Sequence, residues 1–232
     1  MMNIYYEVYN AIGAMILVVD MTDNKRIMKF LPFLLAFLEE RGFPYKIART
    51  IEDVQRVRKT NVTGVIISGS SLRLSRKIDM DLVNVAMYCH HTFDVPTLGI
   101  CFGCQLLNAI HGGTVKPFGR LVCEKHNINQ EKNKVPGCPG CPVQFCFNDV
   151  LDRIGVGFKV KGHATIDGKE VVCHIEKGRN IKGFLFHPEL NGDKCGHLEK
   201  FLCRAAAPAL CAKGLPPYNP VPRRTASFGH TP

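Results

Sequence analysis

No stretch of the 232-residue chain stays apolar long enough to cross a bilayer. The longest runs, Ala11 to Val19 and Phe30 to Leu38, fall short of the roughly 18 residues a membrane helix needs. No basic segment precedes an apolar one within Met1 to Asn10, so no secretory leader is expected and a cytoplasmic location follows as the expectation. Acids are in deficit, with twenty Asp and Glu against thirty Lys and Arg, for a formal charge of +10. Yet no Lys/Arg run exceeds two residues, and no RNA-binding or helix-turn-helix signature surrounds them. The charge therefore reads as a basic surface, and a nucleic-acid partner is not expected. The chain has no internal repeat and no G-x-x-x-x-G-K-[ST] phosphate loop, which excludes an ATP-consuming P-loop function of its own.

What is present is the composition of a core-forming globular protein, 46% hydrophobic and 22% charged. Eleven cysteines are scattered along a chain of this size, unlike a small disulfide scaffold, and most read as reduced thiols packed as small apolar groups. From Ala14 the sequence alternates short apolar β-rich runs with helical patterns, as expected of a parallel sheet with crossover helices. Strands are expected at Met15 to Val19, Tyr45 to Ala48, Gly64 to Ser68 and Val95 to Ile100. Helices are expected from Phe30, with Gly42 as terminator, from the Thr50 to Asp53 capping box, over Asp79 to His91, and over Gly103 to Ile110.

The second half reads as strand-rich, near Val143 to Phe147, Phe158 to Val160, Val171 to Ile175 and Gly183 to Phe186, with a closing helix near Cys195 to Arg204. Residues 205–232 contain six prolines and no acid. They read as a flexible basic tail whose removal after Arg204 should leave the fold intact. The expected organisation is an extension over 1–13, one α/β domain over 14–204, and that tail.

Gly99-Ile-Cys101-Phe-Gly103 has the form G-x-C-x-G, in which small residues on either side of a cysteine let a strand and a helix approach closely at a sharp turn. The first amides of the following helix would face the thiol and favour its thiolate. Far downstream, 86 residues from Cys101, stands His187-Pro-Glu189. The sequence Gly99-Ile-Cys-Phe-Gly-Cys-Gln105 followed by His187-Pro-Glu189 resembles the class I glutamine amidotransferase domains, which are marked by G-x-C-x-G-x-Q and H-P-E in that order. The likeness runs from about Met15 to Leu202.

That resemblance implies a flavodoxin-like α/β fold with a mostly parallel central sheet flanked by helices. It also implies hydrolysis of the glutamine side-chain amide, with Cys101 as nucleophile, His187 as base and acid, and Glu189 as the carboxylate that orients the imidazole. Gln105 matches the residue that contacts bound glutamine, while the main-chain N–H of Phe102 and one from the Gly69-Ser70 loop would form the oxyanion hole. No cofactor is implied, and ammonia would pass to a synthetase on a separate chain, first of all one of GMP-synthase type. The alternatives are a free-standing γ-glutamyl peptidase or hydrolase of the same fold and a non-catalytic binding module.

Two departures from the family pattern stand out. Ser70 occupies the place of a second glycine, where a positive φ would strain serine. Cys146-Phe-Asn-Asp149 is the nearest match to a Ser-His-x-Asp stretch and has Phe147 at the histidine. Separately, Cys123, His126, Cys138 and Cys141 have a spacing compatible with zinc. The competing account, a Pro/Gly turn with incidental cysteines, is preferred, and no metal is expected.

Overall fold

Alternation along the first strand decides the layering. In β1, Met15–Val19, the side chains of Ile16 and Val18 enter one apolar layer and those of Leu17 and Val19 another, all of them buried. A strand buried on both faces needs cover on both, which crossover helices of a parallel sheet provide. The computed structural model describes residues 13–22, 30–76, 80–130, 142–191, 193 and 196–211.

Along the first half, β1 is followed by α1 (Leu31–Glu40), β2 (Tyr45–Ala48), α2 (Ile51–Gln55), β3 (Val62–Ile67), α3 (Met80–Thr92), β4 (Thr97–Ile100) and α4 (Phe102–Ile110). Local chemistry fits these limits. Pro32 lies in the first turn of α1, where its missing N–H costs nothing, and Gly42 turns the chain beyond it at φ +70°. Thr50 and Asp53 close a reciprocal capping box at the start of α2. The second half supplies β5 (Val115–Val122), β6 (Lys125–Asn127), β7 (Asn129–Gln130), β8 (Pro142–Phe145), β9 (Phe147–Leu151), β10 (Lys159–Ile166), β11 (Lys169–Lys177), β12 (Ile181–Phe184), β13 (Phe186–His187) and α5 (His197–Cys211).

The main sheet has eight strands in the order β2-β1-β3-β4-β12-β11-β10-β7. Strands β2 through β12 in that order pair in parallel, and β11, β10 and β7 continue antiparallel. Leu34, Phe37 and Leu38 of α1 and Leu198, Phe201, Leu202 and Ala205 of α5 cover one face; Val54, Val83, Ala86, Leu106 and Leu107 cover the other. This is an α/β fold, and its β2-β1-β3-β4 order with a fifth parallel strand is the flavodoxin-like arrangement, in which sites form outside the carboxyl ends of the strands.

Three expectations need correction. The runs near Val143 to Phe147 and Gly183 to Phe186 are each broken, at Cys146 and at Leu185. At both points the chain changes sheets: β8 joins β13 and β6 in a three-stranded sheet, whereas β9 pairs with β5. Continuous apolar character hides such breaks. The strand β5 has no counterpart among the expected strands, because it is largely exposed and is punctuated by Pro117 and Gly119. Finally, the closing helix does not stop at Arg204 but runs to Cys211, with Ala205, Ala206 and Leu210 fully buried.

That last finding reverses the expectation for truncation. Ending the chain after Arg204 removes Leu210 and the two alanines from the core, and a fully buried leucine side chain alone contributes about 1.5–3 kcal/mol. We expect the melting temperature to fall on truncation after Arg204 relative to truncation after Cys211, as read by thermal unfolding of the two shortened chains.

Candidate active site

The site is built where two backbones touch. A Cβ added to Gly99, in β4, would lie 2.4 Å from the carbonyl oxygen of Gly103, and one added to Gly103 would lie 2.2 Å from that of Ile67, at the end of β3. Only glycine permits strand and helix to come this close. The residue caught between, Cys101, is forced to φ 51° and ψ −106°, a conformation costly for any residue with a side chain. Its amide donates to Phe184 O and its carbonyl accepts from the N–H of Gln105, so both neighbours hold the strain in place. Gln105 makes the first intrahelical bond back to Cys101, which leaves the amides of Phe102, Gly103 and Cys104 as the helix's unpaired first donors.

Four of the expected residues meet here. A Cβ on Gly69, in the loop after β3, would sit 2.8 Å from His187 Cε1 and 3.5 Å from Cys101 Cβ, so nucleophile candidate, imidazole and loop share one small volume. His187 is fully buried, and its Nδ1 lies 2.7 Å from Glu189 Oε1. Since a carboxylate only accepts, Nδ1 carries the proton and donates. Glu189 is held on a single 3-10 turn, Pro188–Asn191, and the Phe30 ring packs on the imidazole at 4.3 Å between centroids.

Burial alone would depress the basicity of His187, but the Glu189 carboxylate and the Cys101 sulfur outweigh it and push its pKa up to about 10. Cys101 itself is 2% exposed, and its Sγ donates to the main-chain oxygen of Cys146 at 3.2 Å. Other thiols nearby are held in their neutral form by burial: Cys104 and Cys173 are raised well above the ordinary range, and Cys89 to about 12.

The remaining expected residues are placed as follows. Phe102 is buried at the first position of α4. Gln105 is also buried and donates from Nε2 to Asp149 O at 2.7 Å, tying the elbow helix to β9. Ser70 does not carry the strain anticipated for it: it is absent from the positive-φ residues, and its Oγ accepts from Leu72 N at 3.1 Å. Phe147 packs with Phe118 and Phe145 in the core, not as a polar group at the site. Cys123 and His126 are described but Cys138 and Cys141 lie outside the described residues, and among the described residues no three ligating side chains are grouped for a metal.

Two contributors escape a reading of the sequence. One is the Cys146 carbonyl, which any residue type could offer. The other is Arg73, whose Nε and Nη2 both reach Asp149 Oδ1, at 3.0 and 2.8 Å, while Ser75 N donates to Oδ2. Asp149 is 1% exposed, so this pair pins the loop that begins at Gly69 onto β9. Nothing local marks Arg73 for that task.

Residues 28–203 match the family model "Glutamine amidotransferase class-I". The GMP synthase [glutamine-hydrolyzing] of Clostridium tetani is 29% identical over 163 residues, 64% of this chain and 29% of the relative. That of Thermosipho melanesiensis is 27% identical over 180 residues, 73% of this chain and 33% of the relative. The chain thus spans about a third of the length of the curated relatives it matches. Among solved structures, a protein of Thermoplasma acidophilum assigned to GMP synthase as one of its subunits matches with a TM-score of 0.68 at 18% identity, over 86% of this chain and 98% of that one. A glutamine amidotransferase from Thermotoga maritima aligns with a TM-score of 0.60 at 14% identity, covering 88% and 87% of the two chains.

The buried charge set has a pH signature. A histidine whose folded pKa lies above its unfolded value stabilises the fold fully below about 6.5, and loses that contribution as the pH rises through about 10. Denaturant unfolding from pH 6.5 to 10 should show wild-type stability declining more steeply than that of His187→Gln, in which the titrating group is gone. A second expectation concerns the elbow: Gly103→Ala should cost about 1–3 kcal/mol or more in the same assay, because the clash is with backbone.

Proposed function

Because the chain belongs to the class I glutamine amidotransferase family, we propose that it hydrolyses the side-chain amide of glutamine through Cys101, His187 and Glu189. The observation that carries this reading is a strained cysteine at a strand-to-helix turn, gathered around Gly69 with a buried His187-Glu189 pair. An amide is a poor electrophile, and the arrangement answers each of its demands.

The Cys101 thiolate attacks the amide carbon, and the carbonyl oxygen, now an oxyanion, takes hydrogen bonds from the amide of Phe102 and from one in the Gly69-Ser70 loop. The His187 imidazolium gives its proton to the departing nitrogen, so ammonia leaves and a thioester remains on Cys101. Water then attacks the thioester, His187 takes its proton, and glutamate is released with the thiolate and imidazolium restored. Glu189 keeps Nδ1 protonated and the ring in register, which leaves Nε2 for both transfers. Gln105 orients the substrate side of the elbow helix through its tie to β9.

The GMP synthases among the relatives support an ammonia-accepting synthetase of that type as the partner of this domain. In that arrangement activity is low in isolation and rises when the acceptor enzyme binds.

Glutamate release from glutamine by the purified chain tests the reading, with γ-glutamyl peptides as competing substrates. Cys101→Ala should abolish turnover with the fold intact, and His187→Ala should lower it about a thousandfold or more, as for other triad members. Glu189→Gln should cost less than His187→Ala. Gly69→Ala should lower turnover at least tenfold without unfolding the chain, since its Cβ displaces the imidazole and misplacement of about an ångström costs on the order of a hundredfold. Turnover surviving Cys101→Ala, or hydrolysis confined to γ-glutamyl peptides, would overturn the proposal.

A further inference from the structure

We propose that Cys123 and Cys146 are a redox modification site: they close a reversible cross-strand disulfide that clamps the wall of the Cys101 site. Their sulfurs lie 3.0 Å apart, and both are thiols in this structure. The pairing of the chain explains why they meet. Val122 is the register partner of Phe147, Glu124 and Phe145 exchange both main-chain hydrogen bonds, and Lys125 is the partner of Gln144. One antiparallel register therefore runs from β5 and β9 into β6 and β8, and it sets Cys123 directly opposite Cys146.

Hydrogen-bonded and non-hydrogen-bonded pairs alternate along such a ladder, so next to Glu124 and Phe145 the two cysteines form a non-hydrogen-bonded pair. In such a pair the Cα atoms are about 4.5 Å apart, within the range a disulfide spans without moving the backbone. Oxidation needs no rearrangement of the strands.

The two thiols have unequal access, which orders the chemistry. Cys123 is exposed, whereas Cys146 is buried. With a small-molecule disulfide such as oxidised glutathione as the oxidant, the Cys123 thiolate attacks one sulfur, forms a mixed disulfide and expels one glutathione thiolate. Cys146 then attacks the Cys123 sulfur, and its proton and the second glutathione leave together as the second free thiol. Two protein thiols give up two electrons and two protons, and one oxidised glutathione becomes two reduced molecules. Burial first, and then the Cys123 sulfur, raise the Cys146 thiol above the ordinary range, so the exposed Cys123 and not Cys146 makes the first attack, and Cys146 resolves by its fixed proximity to the Cys123 sulfur.

The bridge reaches the site through one atom. The carbonyl of Cys146 is the acceptor for Cys101 Sγ, and the strand that ends at Phe145 pairs with the strand carrying His187. Tying Cys146 to Cys123 fixes that carbonyl and keeps the Cys101 sulfur engaged as a donor. Its own sulfur stays with Cys123, so Cys101 remains a thiol.

The full chain is incubated with oxidised glutathione or with dithiothreitol, quenched with an alkylating maleimide, digested and mapped by mass spectrometry without reduction. The expected product is a peptide pair joined through Cys123 and Cys146, lighter by two hydrogens, reversed by dithiothreitol and absent from Cys123→Ser. In the joined protein the rate at which iodoacetamide alkylates Cys101 should fall severalfold. Glutathione retained on Cys123 with Cys146 alkylated, a bridge from Cys123 to any other cysteine, or a Cys101 rate unchanged by the bridge would each overturn the proposal. Neither readout uses glutamine turnover, so failure here leaves the amide-hydrolysis reading untouched.

Discussion

Everything at the site depends on one close approach, that of the β3, β4 and α4 backbones at Ile67, Gly99 and Gly103. With hydrogen in place of Cβ at two positions, helix α4 starts almost in contact with two strand ends, and Cys101 has no room for ordinary dihedral angles. The strain is retained because flanking hydrogen bonds from Cys101 to Phe184 and Gln105 fix both of its peptide groups. A side chain held this way projects from the carboxyl edge of the sheet, and the unpaired amides beginning with Phe102 lie beneath it. The strained placement of Cys101 is thus set by backbone geometry before any acid or base is considered.

Burial in an apolar core works against thiolate formation, and it keeps Cys89, Cys104 and Cys173 neutral. Cys101 is as buried as these and lies beside His187, whose basicity the Glu189 carboxylate raises against the effect of burial. Arg73 and Asp149 hold the loop: the Asp149 carboxylate is buried and takes a further bond from the amide of Ser75, so removing Arg73 would strand a buried charge.

Much of this was legible in the sequence where local chemistry and tertiary role coincide. Met15 to Val19 and Tyr45 to Ala48 are strands at the limits expected, because apolar alternation and turn residues bound them on both sides. The G-x-C-x-G spacing and His187-Pro-Glu189 identify residues that do converge, since the first encodes a steric necessity and the second keeps a histidine and a carboxylate two residues apart. Legibility ended where a role belongs to the fold and not to the residue. The break at Leu185 is a change of partner and that at Cys146 an interruption within one antiparallel register, and side-chain type records neither. Arg73 is an unremarkable basic residue until β9 brings Asp149 beside it, and α5 passes the expected boundary because Ala205 must fit against Gly64, where a Cβ would lie 2.8 Å from its own.

The break at Leu185 has a mechanical consequence. Up to Phe184 the chain is a central strand of the eight-stranded sheet, hydrogen-bonded beside the strand that delivers Cys101; two residues later it is the edge of a different sheet, and it is there that His187 stands. The two halves of the constellation are thus mounted on separate plates joined by a one-residue seam, whose amide is anchored to Cys173. The ring contacts of Phe186 with Phe145 and Phe184 cross that joint, so a change of volume in any of the three shifts the strand that carries His187 against the strands that frame Cys101.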